Sequence, residues 1–416
     1  MRVVLIHRYF WPDSAPYAHI LHQLARRLGE DGHRVEVLTC QPSYRPPTGP
    51  PAPRRERLDD RVTVRRWPVF PDRRYAAVKV VNLVLFCGWL LATGIRLGRA
   101  DVVLAASTPP VAVARVASLI ARRCRARFVY HKQDIYPEVM VAAGSPQAGR
   151  VVGTLRRVDA RTDRRADRVV VLSRDMAETV RGRGVRPDRI AVINNFDPWS
   201  PDSAEHSALP DRPGRRPGDP LRVVFAGNLG RFQNLETLLV ALTRLAAEPL
   251  VTVDFFGDGP MRGPVQREIA RHGLNARVHG YRPPAEVARF LRREADLGIV
   301  SLLPGMIRAA YPSRTLSYLR HGCPVLALVE RESELAEMIV DAGAGVQVDP
   351  TDAEQLAETL RSLAHQPGDL VGAHHRAAAL YDRFRAERQL DRWTELFDRL
   401  GGPRQAAGSD LEGTTV

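Results

Sequence analysis

The chain has 416 residues, 44% of them hydrophobic, and a formal charge of +14. That length allows two or three domains with ample core. The charge raises nucleic-acid binding, but only Lys79 and Lys132 are lysines, the arginines are spread over most of the chain, and no zinc-finger, RNP or helix-turn-helix signature occurs; nucleic acid is therefore set aside, and an anionic membrane surface is the better partner.

The first residues, RVVLIH (Arg2–His7), form a continuous apolar run, as in a parallel strand covered on both faces. No secretory core is expected, because this run is too short. Leu21, Leu24, Ala25 and Leu28 recur at helical spacing, Gly32 is a helix-ending candidate, and RVEVLT (Arg34–Thr39) is a second strand. This is one βαβ unit. A Pro-rich loop follows from Pro42 to Pro53. Next comes VVNLVLFCGWLLATGI (Val80–Ile95), 16 residues without a charge, flanked by Lys79 and Arg96. It is short for a spanning helix. A buried core helix is the favoured reading; a helix in the membrane interface, with Trp89 and flanking Arg73, Arg74 and Arg96 near headgroups, is the alternative.

Further strands are expected at Val62–Arg66, Val102–Ala105, Arg127–Tyr130, Val169–Leu172 and Ile190–Ile193. The segment 198–220 is rich in Pro, Gly, Ser and charge and reads as an interdomain linker. Strand–helix alternation then restarts. Strands are expected at Leu221–Ala226, Val251–Phe256, Arg277–Gly280, Leu297–Ser301, Val325–Val329 and Gly345–Val348. Helices are expected near Leu235–Ala246, Ala285–Arg293, Ser313–His321, Ser333–Asp341, Ala353–His365 and Ala386–Leu400. The fold class is α/β, with domains at 1–197 and 221–385, a last helix over 386–402 and a disordered tail over 403–416. Cys40, Cys87, Cys124 and Cys323 lie far apart without a CxxC. They suit neither a disulfide framework nor a zinc site, and a reducing compartment is the simplest setting.

Five motifs in order carry a resemblance. YFWPDSAPYA with GHRVEVLTCQP, HKQDIYPE, SRDMAETVRGRGVRPDRIAVINNFD, the pair GNLGR and GDGP, and PSRTLSYL together resemble the family-4 glycosyltransferases. The subgroup they resemble acts in colanic-acid and O-antigen assembly. The resemblance implies a GT-B architecture: two Rossmann-like domains facing a cleft, the last helix crossing back onto the first domain. It implies transfer of a hexose-type sugar from a UDP- or GDP-sugar to a lipid-linked or polymer saccharide, with retained anomeric configuration, no metal and no cofactor. It also implies a cytoplasmic enzyme peripheral on the inner membrane face.

Residue by residue, the resemblance assigns the donor to Gly227, Asn228, Gly230, Arg231, Gly257, Gly259, Tyr281, Ser313 and Arg314, and Glu334, at the start of a helix, either binds ribose hydroxyls of the donor or serves the helix dipole. Glycines let backbone approach a diphosphate and arginines fork onto its oxygens. His131 and Asp134 are the catalytic candidates, expected to face the cleft and grip sugar hydroxyls. Asp13, Ser14 and Glu138 are expected on the acceptor side. Three departures stand out. The family's two glutamates, eight positions apart, fall on Ala309 and Ser317, a loss the polysaccharide subgroup shares. The basic pair of the first phosphate loop falls on Asn228 and Gln233, which leaves Arg231 as its cation. Ala15 and Pro16 replace a Gly-Gly pair. The competing readings are a small natural-product acceptor, a nucleotide-sugar 2-epimerase, and a non-catalytic scaffold.

Overall fold

The computed structural model describes residues 1–44, 50–70, 76–142, 150–199, 219–248, 250–370 and 372–402. Most of the expected linker, the expected tail, and Arg73 and Arg74 lie outside these residues.

The first sheet contains β1 (Arg2–Ile6), β2 (Arg34–Cys40), β3 (Arg55–Arg57), β4 (Val62–Trp67), β5 (Val102–Ala106), β6 (Arg127–His131), β7 (Arg168–Val171) and β8 (Ile190–Val192). Its order is β3-β4-β2-β1-β5-β6-β7-β8, parallel except where β3 meets β4. The helices α1 (Pro16–Glu30), α2 (Ala76–Arg96), α3 (Ala112–Arg123), α4 (Glu138–Ala142), α5 (Arg150–Arg165) and α6 (Arg174–Gly182) accompany it. Strands β1 and β5 are buried along almost their whole length, as their unbroken apolar runs require. Strand β3 was not expected: Arg-Glu-Arg has no apolar pattern, and it exists as an edge pairing on β4.

The second sheet contains β9 (Leu221–Ala226), β10 (Val251–Phe256), β11 (Ala276–Gly280), β12 (Leu297–Ser301), β13 (Val325–Leu328) and β14 (Gly345–Val348), all parallel, in the order β11-β10-β9-β12-β13-β14. Its helices are α7 (Leu235–Arg244), α8 (Arg262–His272), α9 (Pro284–Arg293), α10 (Arg314–Arg320), α11 (Glu334–Asp341), α12 (Ala353–His365) and α13 (Ala373–Tyr381). The order reverses beside β1 in one sheet and beside β9 in the other. Such switch points open a crevice at the strand ends. The last helix, α14 (Ala386–Gly401), packs on the first domain: Leu390, Trp393 and Phe397 share a core with Val3, Leu5 and Leu24. Arg27 and Asp31 of α1 bond Asp391 and Thr394 at 2.8 Å each.

The two domains also touch directly. The Ile135 amide donates to the Ala309 carbonyl at 2.7 Å, and Asp134 and Ala310 form an antiparallel bridge. Helices α6 and α11 meet by their N-termini in a reciprocal cap. The Glu334 carboxylate accepts from the Arg174 amide at 2.5 Å, and the Asp175 carboxylate from the Glu334 amide at 3.2 Å. Carboxylates suit that end of a helix.

Helix α2 departs from the favoured core reading. Val80, Val84 and Ile95 are 60%, 63% and 65% exposed, while Phe86 and Leu90 are buried. Its apolar residues outnumber the core positions available to one face.

Beneath the β6 strand end lies a buried ion network. Lys132 Nζ meets Asp159 at 2.6 Å and Asp163 at 2.8 Å. Arg183 meets Asp159 at 2.7 Å and Glu138 at 2.6 Å, and the Tyr130 hydroxyl donates to Asp159 at 2.8 Å. Lys132 and both aspartates are fully buried. Removing one member strands the others without solvation. We therefore expect Lys132→Met to lower the unfolding free energy by about 3–5 kcal/mol, read by urea denaturation. Adding Asp163→Asn should recover part of it, and a loss under about 1 kcal/mol would be that of an ordinary surface pair.

Candidate active site

The carboxyl ends of both sheets border one cleft of about 730 Å³. The second-domain wall begins with two glycine corners. Gly227 and Gly257, at φ 138° and 140°, follow β9 and β10 directly. A Cβ on Gly257 would lie 1.8 Å from the Gly227 carbonyl oxygen, so only glycine lets the two strand ends meet here. Beside them Arg314 lies over the Phe225 ring, its guanidinium carbon 3.9 Å from the centroid, and a Cβ on Gly227 would meet its Nη2 at 3.3 Å. Burial lowers the Arg314 pKa to about 10, which leaves it a cation at neutral pH. Its Nη1 and the Gln233 Oε1 are buried without a protein partner among the described residues. Asn228, Ser313 and Ser317 line the same wall. Farther along, Tyr281, Arg282 and Ala285 form a rim in which Tyr281 is 51% exposed.

The first-domain wall is aromatic and polar. Tyr9, Ser14, Tyr17, Tyr44, Gln133, Asp134, Asn195 and Trp199 line it, with His7 at the end of β1. His7 is buried, and burial lowers its pKa to about 4, so it is neutral. Its Nδ1 contacts the Tyr9 carbonyl at 2.7 Å. The Tyr9 amide also lies 3.1 Å from this nitrogen, but a carbonyl only accepts and its contact is the shorter, so Nδ1 carries the proton and Nε2, without a protein partner among the described residues, is an acceptor.

Several expected site residues stand elsewhere. His131 does not border the cleft. It lies beneath Tyr17 and Trp393, with a pKa lowered by burial to about 3. Asn195 Nδ2 donates to Gln133 Oε1 at 2.7 Å, and Gln133 Nε2 donates to His131 Nε2 at 2.9 Å. That leaves His131 Nδ1 as donor to the Tyr17 oxygen at 2.8 Å. The histidine thus orients two cleft residues, Tyr17 and Gln133, and is itself buried outside the lining. Asp13 is buried, where it accepts from the Ser43 and Tyr44 amides at 2.7 and 3.2 Å and holds the Pro-rich loop. Glu138 is bound to Arg183 and Arg156, away from the lining. Glu334 caps α6 across the domain contact. Arg231 is exposed on a short 3-10 turn and lies outside the lining, as do the buried Gly230 and the half-buried Gly259. Gly259, at φ 153°, instead supports the corner from behind: a Cβ there would lie 2.5 Å from the Leu229 carbonyl oxygen. The sites that composition misses are His7, Tyr9, Tyr17, Gln133, Asn195 and Trp199. Only the topology, which sets the ends of β1 and β6 on the two sides of β5, gathers them.

Asp134 stays in the cleft lining, and burial raises its pKa to about 6. Between pH 4 and 6 the unfolded chain has released this proton while the folded chain keeps it. The folded state then binds more protons, so stability falls as pH rises through that window. We expect the Tm of Asp134→Asn to gain on the parent chain between pH 4 and 7. A difference independent of pH would mean that Asp134 titrates normally.

Comparison with known proteins follows the same division. Residues 17–195 match the family described as Glycosyl transferase 4-like domain, and residues 220–366 match Glycosyl transferases group 1. The probable glycosyltransferase WbjE of Pseudomonas aeruginosa is 28% identical over 276 residues, 64% of this chain and 67% of that protein. The putative colanic acid biosynthesis glycosyl transferase WcaI of Escherichia coli K12 is 24% identical over 408 residues, 94% of this chain and 97% of that protein. The Anabaena protein Alr3699/HepE, solved in complex with UDP-glucose, aligns with a TM-score of 0.65 at 16% identity, over 96% of this chain and 100% of that one.

Proposed function

This chain belongs to the GT-B glycosyltransferases, with a 4-like domain followed by a group 1 domain, and we propose that it transfers a hexose from a UDP- or GDP-sugar to a lipid-linked saccharide during cell-surface polysaccharide assembly. The observation that carries this reading is the pairing of Arg314 with the Gly227 corner. A nucleotide sugar leaves as a diphosphate, and negative charge grows on it as the glycosidic bond breaks. A desolvated guanidinium with an unfilled donor stabilises that added charge more than the smaller charge of the intact donor. The nucleobase lies toward Tyr281 and the β11–α9 rim. The transferred sugar sits between Asn228 and the Gln133–Asp134 strand end, where carboxyl and amide groups fit hydroxyls. The aromatic wall of Tyr9, Tyr44 and Trp199 faces the acceptor saccharide, since sugar rings present apolar C–H faces.

The reading includes retention. The acceptor oxygen attacks the anomeric carbon from the face the phosphate leaves, its bond forming as the carbon–oxygen bond to phosphate breaks. The acceptor's proton passes to the departing phosphate oxygen. His7 Nε2 accepts a hydroxyl hydrogen bond in this scheme, but a pKa near 4 makes it a poor proton store. The polysaccharide role is supported by the named roles of WcaI, and the uridine donor by the ligand of the Anabaena protein. The lipid-linked acceptor places the reaction at the inner membrane face.

A thermal-shift screen should raise Tm with UDP or GDP above TDP. Incubation with the matching sugar and a polyprenyl-diphosphate saccharide should give a product whose anomeric NMR coupling retains the donor configuration. An inverted product would remove the front-face mechanism, and turnover on small aglycones alone would move the acceptor to natural products. Arg314→Ala should cost about 1.5–3 kcal/mol in kcat/KM, roughly 10- to 150-fold. Arg231→Ala should stay within about 1 kcal/mol. The reverse ranking would place the diphosphate on the outer turn.

A further inference from the structure

We propose that the protein docks on an anionic lipid bilayer through one face of its first domain, formed by α2, α3 and α5, with α2 lying in the plane of the interface. This deepens the membrane-bound acceptor reading and rests on it for its purpose.

Helix α2 supplies the apolar part. Val80, Val81, Val84, Leu85, Leu91 and Ile95 are each 40–65% exposed. They recur at three- and four-residue steps and share one side. Residues Ala77–Arg96 have a mean hydropathy of 1.9, enough in length and composition to cross a membrane. The opposite side prevents crossing. Gly94 is pressed on α3 so closely that a Cβ would meet Ile120 at 2.7 Å. Asn82 exchanges two hydrogen bonds of 2.9 Å with the Phe70 backbone. Half of the helix circumference is thus bound to protein, and the other half has the composition of a surface-seeking helix.

The flanks supply the charge. Neither α2 nor α3 contains an acidic residue. Helix α3 packs between α2 and α5 and adds Leu119, 41% exposed, with Arg122 and Arg123. The two acids of α5, Asp159 and Asp163, are turned inward onto Lys132. Its exposed positions are therefore mostly arginines: Arg157, Arg161, Arg164 and Arg165, with Arg156 paired to Glu138 at 3.1 Å and Val151 and Thr154 alongside them. Arg115 on α3 lies within electrostatic reach of Arg165 and Arg161 across the seam, so α3 and α5 share one cationic surface beside α2. A second copy of the chain could cover the apolar stripe, but it would bring two such arginine rows together. Phosphate headgroups instead neutralise them.

The test is co-sedimentation of the full chain, without donor or acceptor, on vesicles of phosphatidylcholine with and without phosphatidylglycerol. Binding should require phosphatidylglycerol, weaken at high salt, and fall about tenfold or more for the exposed-face double variant Val84→Glu/Leu91→Glu. The thermal shift with nucleotide should be unchanged in that variant, which separates this inference from the transferase reading. Vesicle binding equal in parent and variant would overturn it. So would a concentration-dependent dimer, seen by sedimentation and abolished by the same variant, because a second copy would then own the face.

Discussion

The short backbone joint between Asp134–Ile135 and Ala309–Ala310 sets the geometry on which the rest depends. Two domains linked only by a tether would leave the strand ends at any separation. One hydrogen bond of 2.7 Å and an adjacent bridge hold the floor of the cleft at fixed width. The reciprocal caps of α6 and α11 keep the same two domains from rotating about that point. The joint also accounts for an absence. Ala309 stands where most of the family carries a glutamate, and here it is buried at 4% exposure within the contact. A carboxylate there would be desolvated between two backbones, at a cost that a methyl group avoids.

Much of the architecture was legible in the sequence because parallel strands are apolar on both faces and stop at glycine. Thus β9, β10 and β12 begin and end where their residue patterns do. The glycine corners were legible for the same reason. The chemistry between them was less so. Glu138 and Glu334 look like cleft carboxylates when read beside their sequence neighbours. Their partners, Arg183 and Arg174, lie 45 and 160 positions away. Pairing at such distances leaves no trace in local spacing. His131 is a similar case: its ring is covered by Tyr17, 114 positions earlier, and by Trp393 of the returning last helix. Between the two arginines, position in the fold decides. Arg231 follows a glycine motif yet points to solvent, whereas Arg314 follows a proline and is carried under Phe225's strand end.

Helix α2 illustrates how composition and environment part company. Sixteen uncharged residues suit either a core or a lipid boundary, and sequence alone favoured the core. The structure gives the helix one partner face, on α3, and leaves the other uncovered. The buried Lys132 network has a bearing on this surface too. By drawing Asp159 and Asp163 inward it removes the only acids from the outer side of α5. A single arrangement thereby anchors the β6 strand end and leaves the outer side of α5 rich in arginine.

The contact between the Gly227 and Gly257 corners restricts how this enzyme's choice of activated sugar can be re-engineered. A saturation library at the Gly257 codon would return mostly misfolded clones, since a Cβ there would lie 1.8 Å from a backbone oxygen, while at Gly227 the strained φ of 138° and the Arg314 side chain at 3.3 Å are the obstacles. Diversity is better placed at Tyr281 and Arg282, which are exposed on the outer lip of the cleft, away from the meeting of the two strand ends.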